Sequence, residues 1–188
     1  MRRGFKAQAE READAARIAL SLERNDPIDP WKYADHLGIF VLKIENLGLE
    51  DKHLNQLLNV DPGSWSGFTI KEGRNHFVLL NPRHPMPRQR NTMMHELAHI
   101  KLNHRAQRVE ISESGSGLML LSDYPADQEN EADWLAAALL LPRDALYFHR
   151  SRGKSVQQIA DHYGVSKELC NWRLRMTGVD SQLRRSAA

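Results

Sequence analysis

The chain has 188 residues, 41% hydrophobic and 27% charged, with 4 Trp and a net charge of +2, which suits one substantial core and excludes a disordered polypeptide. No apolar run approaches a bilayer span and the N-terminal segment lacks the apolar stretch of a secretion signal, so a cytoplasmic protein with no membrane role is expected. A single cysteine, Cys170, excludes an intramolecular disulfide and a cysteine-based zinc site; any metal would fall to His and carboxylate.

In chain order, an alanine-rich, charged helix is expected from about Phe5 to Arg24. Asp29 then caps a short helix that starts at Pro30 and stops at Gly38. A strand follows through Ile39 to Ile44, and a less distinct helical piece covers Asp51 to Val60. Two β-prone runs between Trp65 and Leu80, joined by a Lys-Glu-Gly-Arg turn, read as a hairpin. The three prolines after Leu80 predict a loop, and a helix is expected from near Arg88. The stretch from Arg108 to Gln128 contains Gly and Ser without clear periodicity, so a mobile loop is expected there. A strongly apolar helix ending by Pro142, a short helix over Arg143 to Arg150, and a helix, Gly-Val-Ser turn and helix between Ser155 and Met176 complete the chain. Fraying is expected from Ser181 onward. These elements predict an α+β fold, mainly helical, with a small antiparallel sheet, divided into a core over 1–150 and a C-terminal unit over 151–188.

The helix after the proline loop carries Thr-Met-Met-His-Glu-Leu-Ala-His. Residues four apart share a helical face, so His95 and His99 can each present a ring nitrogen to one ion, while Glu96 stands beside them to hold a water. Met93, Met94, Leu97, Ala98, Ile100 and Leu102 surround the helix with apolar side chains. Two histidines and a glutamate buried there are costly unless a cation satisfies them. His104 lies five residues past His99, about 140° around the helix, and is expected to point off the ligand face. The third ligand is sought in Glu-Asn-Glu-Ala-Asp on the next helix: Glu129 and Asp133 share a face, so Glu129 can bind the ion while Asp133 hydrogen-bonds a ligand histidine. Glu131 points away from that face. Tyr124, Tyr147, His149 and Arg90 have the chemistry to stabilise an oxyanion.

Residues 151–188 hold 7 Lys and Arg against 3 Asp and Glu, while 1–150 hold 19 against 21. Ala160, Gly164 and Val165 fit the small or apolar positions of a helix-turn-helix, and Lys167, Asn171, Arg173 and Arg175 could face DNA. So small a charge excess argues for a helical pair packed on the core instead of direct DNA contact.

Together the segments at Asp29 to Val41, Gly67 to Ile70 with His76 to Pro82, Arg88 to His104, Glu129 to Pro142 and Val165 to Leu174 resemble the ImmA/IrrE family of zinc metallopeptidases. The resemblance implies a zincin-like metallopeptidase core with a helix-turn-helix-like C-terminal unit. It also implies zinc held by His95, His99 and Glu129, Glu96 as catalytic residue, and a helix-turn-helix transcriptional repressor as the substrate that is cleaved and inactivated. The family pattern has Phe before the Thr of the zinc helix and Gly before its second His; here Asn91 and Ala98 stand instead. A substrate strand is expected to add along the hairpin edge near Trp65 to Ile70. The competing reading is a DNA-binding or toxin–antitoxin regulator whose zinc is only structural; such a site is normally closed by four protein ligands, and three can be named.

Overall fold

The computed structural model describes residues 1–106, 108–111 and 118–186, with side chains described outside 107–122. Helix α1, Phe5–Ala19, turns Phe5, Ala9, Ala13 and Ala16 inward, one helical stripe of mostly small residues that lets it lie close against the later apolar helix α5. It ends five residues earlier than expected, where Arg17 is buried and donates to the carbonyls of Ala13, Asp26 and Leu139. Helix α2, Pro30–His36, starts as predicted: Asp29 Oδ1 accepts from the backbone N–H groups of Trp31 and Lys32 at 2.9 and 3.2 Å.

Five strands form one sheet in the order β1-β3-β2-β5-β4. Strand β1, Phe40–Leu42, runs parallel to β3, Asn75–Leu80, and β3 pairs antiparallel with β2, Gly67–Glu72, across a two-residue Gly73-Arg74 loop. Between β1 and β2 come a 3-10 turn over Ile44–Leu47, helix α3, Asp51–Asn55, and a π-helical turn over Gln56–Val60. The sheet is therefore mixed, not wholly antiparallel as expected, because the chain crosses from β1 to β3 through these turns and β2 before pairing.

The stretch read as a mobile loop contributes two strands, β4, Arg108–Ile111, and β5, Leu118–Ser122, which pair with each other. The middle of that stretch lies outside the described residues. Strand β5 also pairs antiparallel with β2 over Thr69–Glu72. That limits a second expectation: of the hairpin edge proposed for a substrate, Thr69 and Ile70 are already paired with β5, and the outer strands of the sheet are β1 and β4.

Helix α4, Met86–Lys101, lies against β2 and β3 and packs most extensively on α5, Ala126–Leu140. Gly67 sets the close approach of β2 to α4. A Cβ there would stand 2.7 Å from the Thr92 methyl and 2.9 Å from the Leu79 carbonyl oxygen, so something would have to shift. Met93, Met94, Leu97 and Ala98 of α4 join Ala132, Leu135, Ala136 and Leu139 of α5 in one core.

Helices α6, Arg143–Arg150, α7, Val156–Tyr163, α8, Lys167–Thr177, and α9, Val179–Ser186, complete the described chain. The last helix forms where fraying was expected, anchored by buried Val179 and by Asp180 accepting from Arg150 Nε at 2.8 Å. The α7–α8 turn is as predicted: Gly164 has φ +61°, and Ala160 and Val165 are buried. Gly164 packs against the Arg90 side chain of α4, and Ile159, Tyr163, Cys170 and Leu174 enter the common core. Arg173 does not face outward. It is fully buried, with Nη2 donating to Glu10 at 2.6 Å and Nε to the Leu141 carbonyl at 3.0 Å. No helix among the described residues is long and apolar enough to cross a membrane.

Candidate metal centre

Helix α4 follows Pro85 and carries Pro87 in its first turn, where a missing backbone N–H leaves no hydrogen bond unmade. Its His95 and His99 face α5, which runs antiparallel, as the contacts of His95 with Asp133 and of His99 with Glu129 require. The two histidine Nε2 atoms are 3.0 Å apart. Glu129 brings Oε2 to 3.2 Å from His95 Nε2 and Oε1 to 3.7 Å from His99 Nε2. One ligand atom from each of the three residues lies within 4.8 Å of the others.

This donor set fits zinc. A tetrahedral zinc with bonds of about 2 Å holds its donors roughly 3.3 Å apart, and the three observed separations bracket that value. The outer nitrogens are also engaged. Asp133 Oδ1 lies 2.9 Å from His95 Nδ1, placed to accept its N–H while Nε2 faces the other donors. Asp133 thus holds the place expected from the sequence. Access is one-sided, since the His99 side chain is 2% exposed while those of Glu129 and Asp133 are 41% and 64% exposed.

Burial, helped by the neighbouring His95 and His104, pushes the His99 pKa down to about 3, so this ring is neutral and has a lone pair to offer. Burial also opposes charge on His95, but the Asp133 bond and the charges of Glu96, Asp133 and Glu129 outweigh it and leave its pKa raised. Burial raises the pKa of Glu129 and of Glu96. Carboxylates that resist ionisation beside a ring that resists protonation are the mark of a site short of positive charge, and a bound cation reverses that balance.

Glu96 is buried beside the ligands and outside the donor set. The Thr69 hydroxyl, itself fully buried on β2, donates to Glu96 Oε2 at 2.7 Å. Tyr124 stacks on His99 with ring centroids 3.8 Å apart, and burial followed by the charges of Glu96 and Glu129 raises its phenol pKa. Of the four groups considered for an oxyanion, Tyr124 packs on a candidate ligand. Arg90 instead donates to the Ile28 carbonyl, His149 packs beside His162 and Tyr163, and Tyr147 packs against the core.

Three neighbours escaped sequence reasoning. Thr69 is one β-branched residue in a strand, with nothing local to mark it. His104 stays off the ligand face and outside the donor set, as expected, yet it lies against the site: the helix ends at Lys101, Asn103 adopts φ +53°, and His104 Nδ1 stands 3.1 Å from His99 Nδ1. Glu131 does point off the face of Glu129, but toward His104. Asn91 is exposed, so its departure from the family pattern disturbs no packing, while Ala98 is fully buried.

Comparison with curated proteins returns no match. The family model of the M78 peptidases, described as the IrrE N-terminal-like domain, matches residues 34–175. That span carries both α4 and α5 with the residues that converge between them, and covers most of the chain, so the protein belongs to the M78 family of ImmA/IrrE metallopeptidases.

Proposed function

We propose that the protein is a zinc-dependent endopeptidase that cleaves and inactivates a helix-turn-helix transcriptional repressor in the cytoplasm, relieving repression in a phage, mobile-element or stress response. The observation that carries the reading is a three-donor set of His95, His99 and Glu129 with a buried carboxylate, Glu96, beside it and not part of it. A structural zinc would want a fourth protein ligand, and none joins the set among the described residues. The chemistry a zinc supplies in such a site is polarisation of the scissile carbonyl and acidification of a water.

The chain's own residues do the rest. Asp133 orients His95, and Glu96 accepts the water's proton and passes it to the leaving amine. Thr69 holds Glu96 in place through its second oxygen. In this reading residues 1–150 are the peptidase core and residues 151–188 a helix-turn-helix-like unit docked on it. The regulator alternative is disfavoured by Arg173, whose charge is spent on Glu10 inside the protein and is not offered to a phosphate.

The test is co-expression with a repressor-like protein encoded next to the gene, followed by mass analysis of fragments. Parent protein should cut it and contain about one zinc per chain. Glu96→Gln should keep the zinc and the partner but lower cleavage by about 10²–10⁴-fold, the usual size of general-base catalysis. Relief of repression without any cut would favour the regulator instead.

A further inference from the structure

His99 reaches the candidate metal centre with one ring nitrogen and leaves the other facing inward. That inner Nδ1 lies 3.1 Å from His104 Nδ1. The far nitrogen of His104, Nε2, is buried without a partner at hydrogen-bond distance among the described residues, and Glu131 Oε2 stands 3.7 Å away. The side chains of His104 and Glu131 are 5% and 6% exposed. Glu131 is gripped by Arg2, whose backbone N–H donates to Oε1 at 2.7 Å and whose Nε and Nη2 lie 3.0 and 2.9 Å from Oε1 and Oε2. A row of four side chains therefore runs from the surface to the candidate metal centre, starting at Arg2, which lies outside the span matched by the family model.

One arrangement of protons suits both this row and a metal on His99 Nε2. Two neutral imidazoles that meet nitrogen to nitrogen need one hydrogen between them. If His104 supplied it, His104 Nε2 would turn a bare lone pair toward the Glu131 carboxylate, and His99 would carry its hydrogen on Nε2, where it blocks a metal. If His99 supplies it from Nδ1, His104 Nε2 carries a hydrogen toward Glu131 and His99 Nε2 is free to ligate. The His104 side chain is 5% exposed, where a charge on the ring would be costly.

We propose that His104, backed by Glu131 and Arg2, is a positioning residue that sets His99 in the Nδ1–H tautomer and so readies its Nε2 for the metal. This rests on the metallopeptidase reading above. For His99 it is the counterpart of what Asp133 does for His95, with an imidazole and a remote carboxylate replacing a direct one.

The experiment uses full-length protein in two forms. In metal-free protein, nitrogen NMR of the imidazoles should show His99 protonated at Nδ1 and bare at Nε2, with His95 carrying the hydrogen between the two Nε2 atoms that stand 3.0 Å apart. In zinc competition against a chelating dye, His104→Leu should bind zinc about 10–100-fold more weakly, the usual effect of losing such a partner. His104→Gln should recover most of the affinity, because its amide offers both an acceptor and a donor. Should His104→Leu not fold, Glu131→Gln serves as the second variant, expected to weaken zinc binding and let the His99 Nε2–H form appear. An Nε2–H tautomer in the parent, or unchanged zinc affinity in folded His104→Leu, overturns the proposal. A parent that binds no zinc would instead sink the metallopeptidase reading, and the tautomer measurement would still decide the role of His104.

Discussion

Thr69 has no metal, no charge and no motif, yet its hydroxyl makes the one side-chain hydrogen bond seen to Glu96 among the described residues. The bond favours the ionised carboxylate against the burial that opposes it. Thr69→Val keeps the shape and removes the donor. It should leave zinc content unchanged and lower kcat. Because a donor to the charged form is lost, the Glu96 pKa should rise further, and the acid limb of the pH–rate profile should move to higher pH. A profile superimposable on that of the parent would remove Thr69 from the machinery. His95 and His99, by contrast, announce themselves, since a spacing of four on a helix is itself the geometry of a shared ligand.

Between elements, the decisive contact is that of β2 with α4. The absent side chain of Gly67 lets the strand carry Thr69 up to Glu96. Gly67→Ala should cost about 1–3 kcal/mol through overpacking, read by chemical denaturation. It should also weaken catalysis more than zinc binding, because the ligands sit on α4 and α5 and the strand carries only Thr69. Equal losses in both would mean that α4 itself moves. The strands β4 and β5 show the limit of local reading. Their pairing with each other and with β2 is long-range, and a Gly and Ser segment between them obscures the strand signal that each short run carries.

Across the whole molecule, the C-terminal helices are held to the N-terminal ones by buried polar contacts. Tyr163 donates its hydroxyl to the Asn25 carbonyl at 2.5 Å, and Arg173 joins Glu10 of α1. Burial pushes the Tyr163 pKa up to about 12, against an ordinary value of 10.0. Its folded pKa is raised, so its contribution is whole below about pH 10 and is lost as pH climbs through the folded value. Tyr163→Phe should lose about 1 kcal/mol at neutral pH and should show a flatter decline of stability between about pH 10 and 12. An unchanged alkaline profile would place the decline in other groups. Arg173 carries a warning for DNA-binding tests: removing it strips a buried ion pair, so loss of any activity would report unfolding before it reported a missing phosphate contact.

Legible in the sequence alone were the helices other than α9, the hairpin, the cap at Asp29, the pair of histidines with their glutamate, and the segment that supplies Glu129 and Asp133. All of these depend on local spacing, and a helix turns spacing directly into a shared face. Only the tertiary structure decided that β5 closes the hairpin edge, that Gly67 must be bare, that Arg173 is inside, and that Thr69 and His104 attend the site. Each of these depends on a partner far away in the chain, and nothing within a few residues of Thr69 or Arg173 says which neighbour will satisfy a buried hydroxyl or guanidinium. His104 adds a subtler case. Its ring stays off the ligand face, as helical spacing says, but past the helix end the left-handed Asn103 leaves it against the far nitrogen of His99.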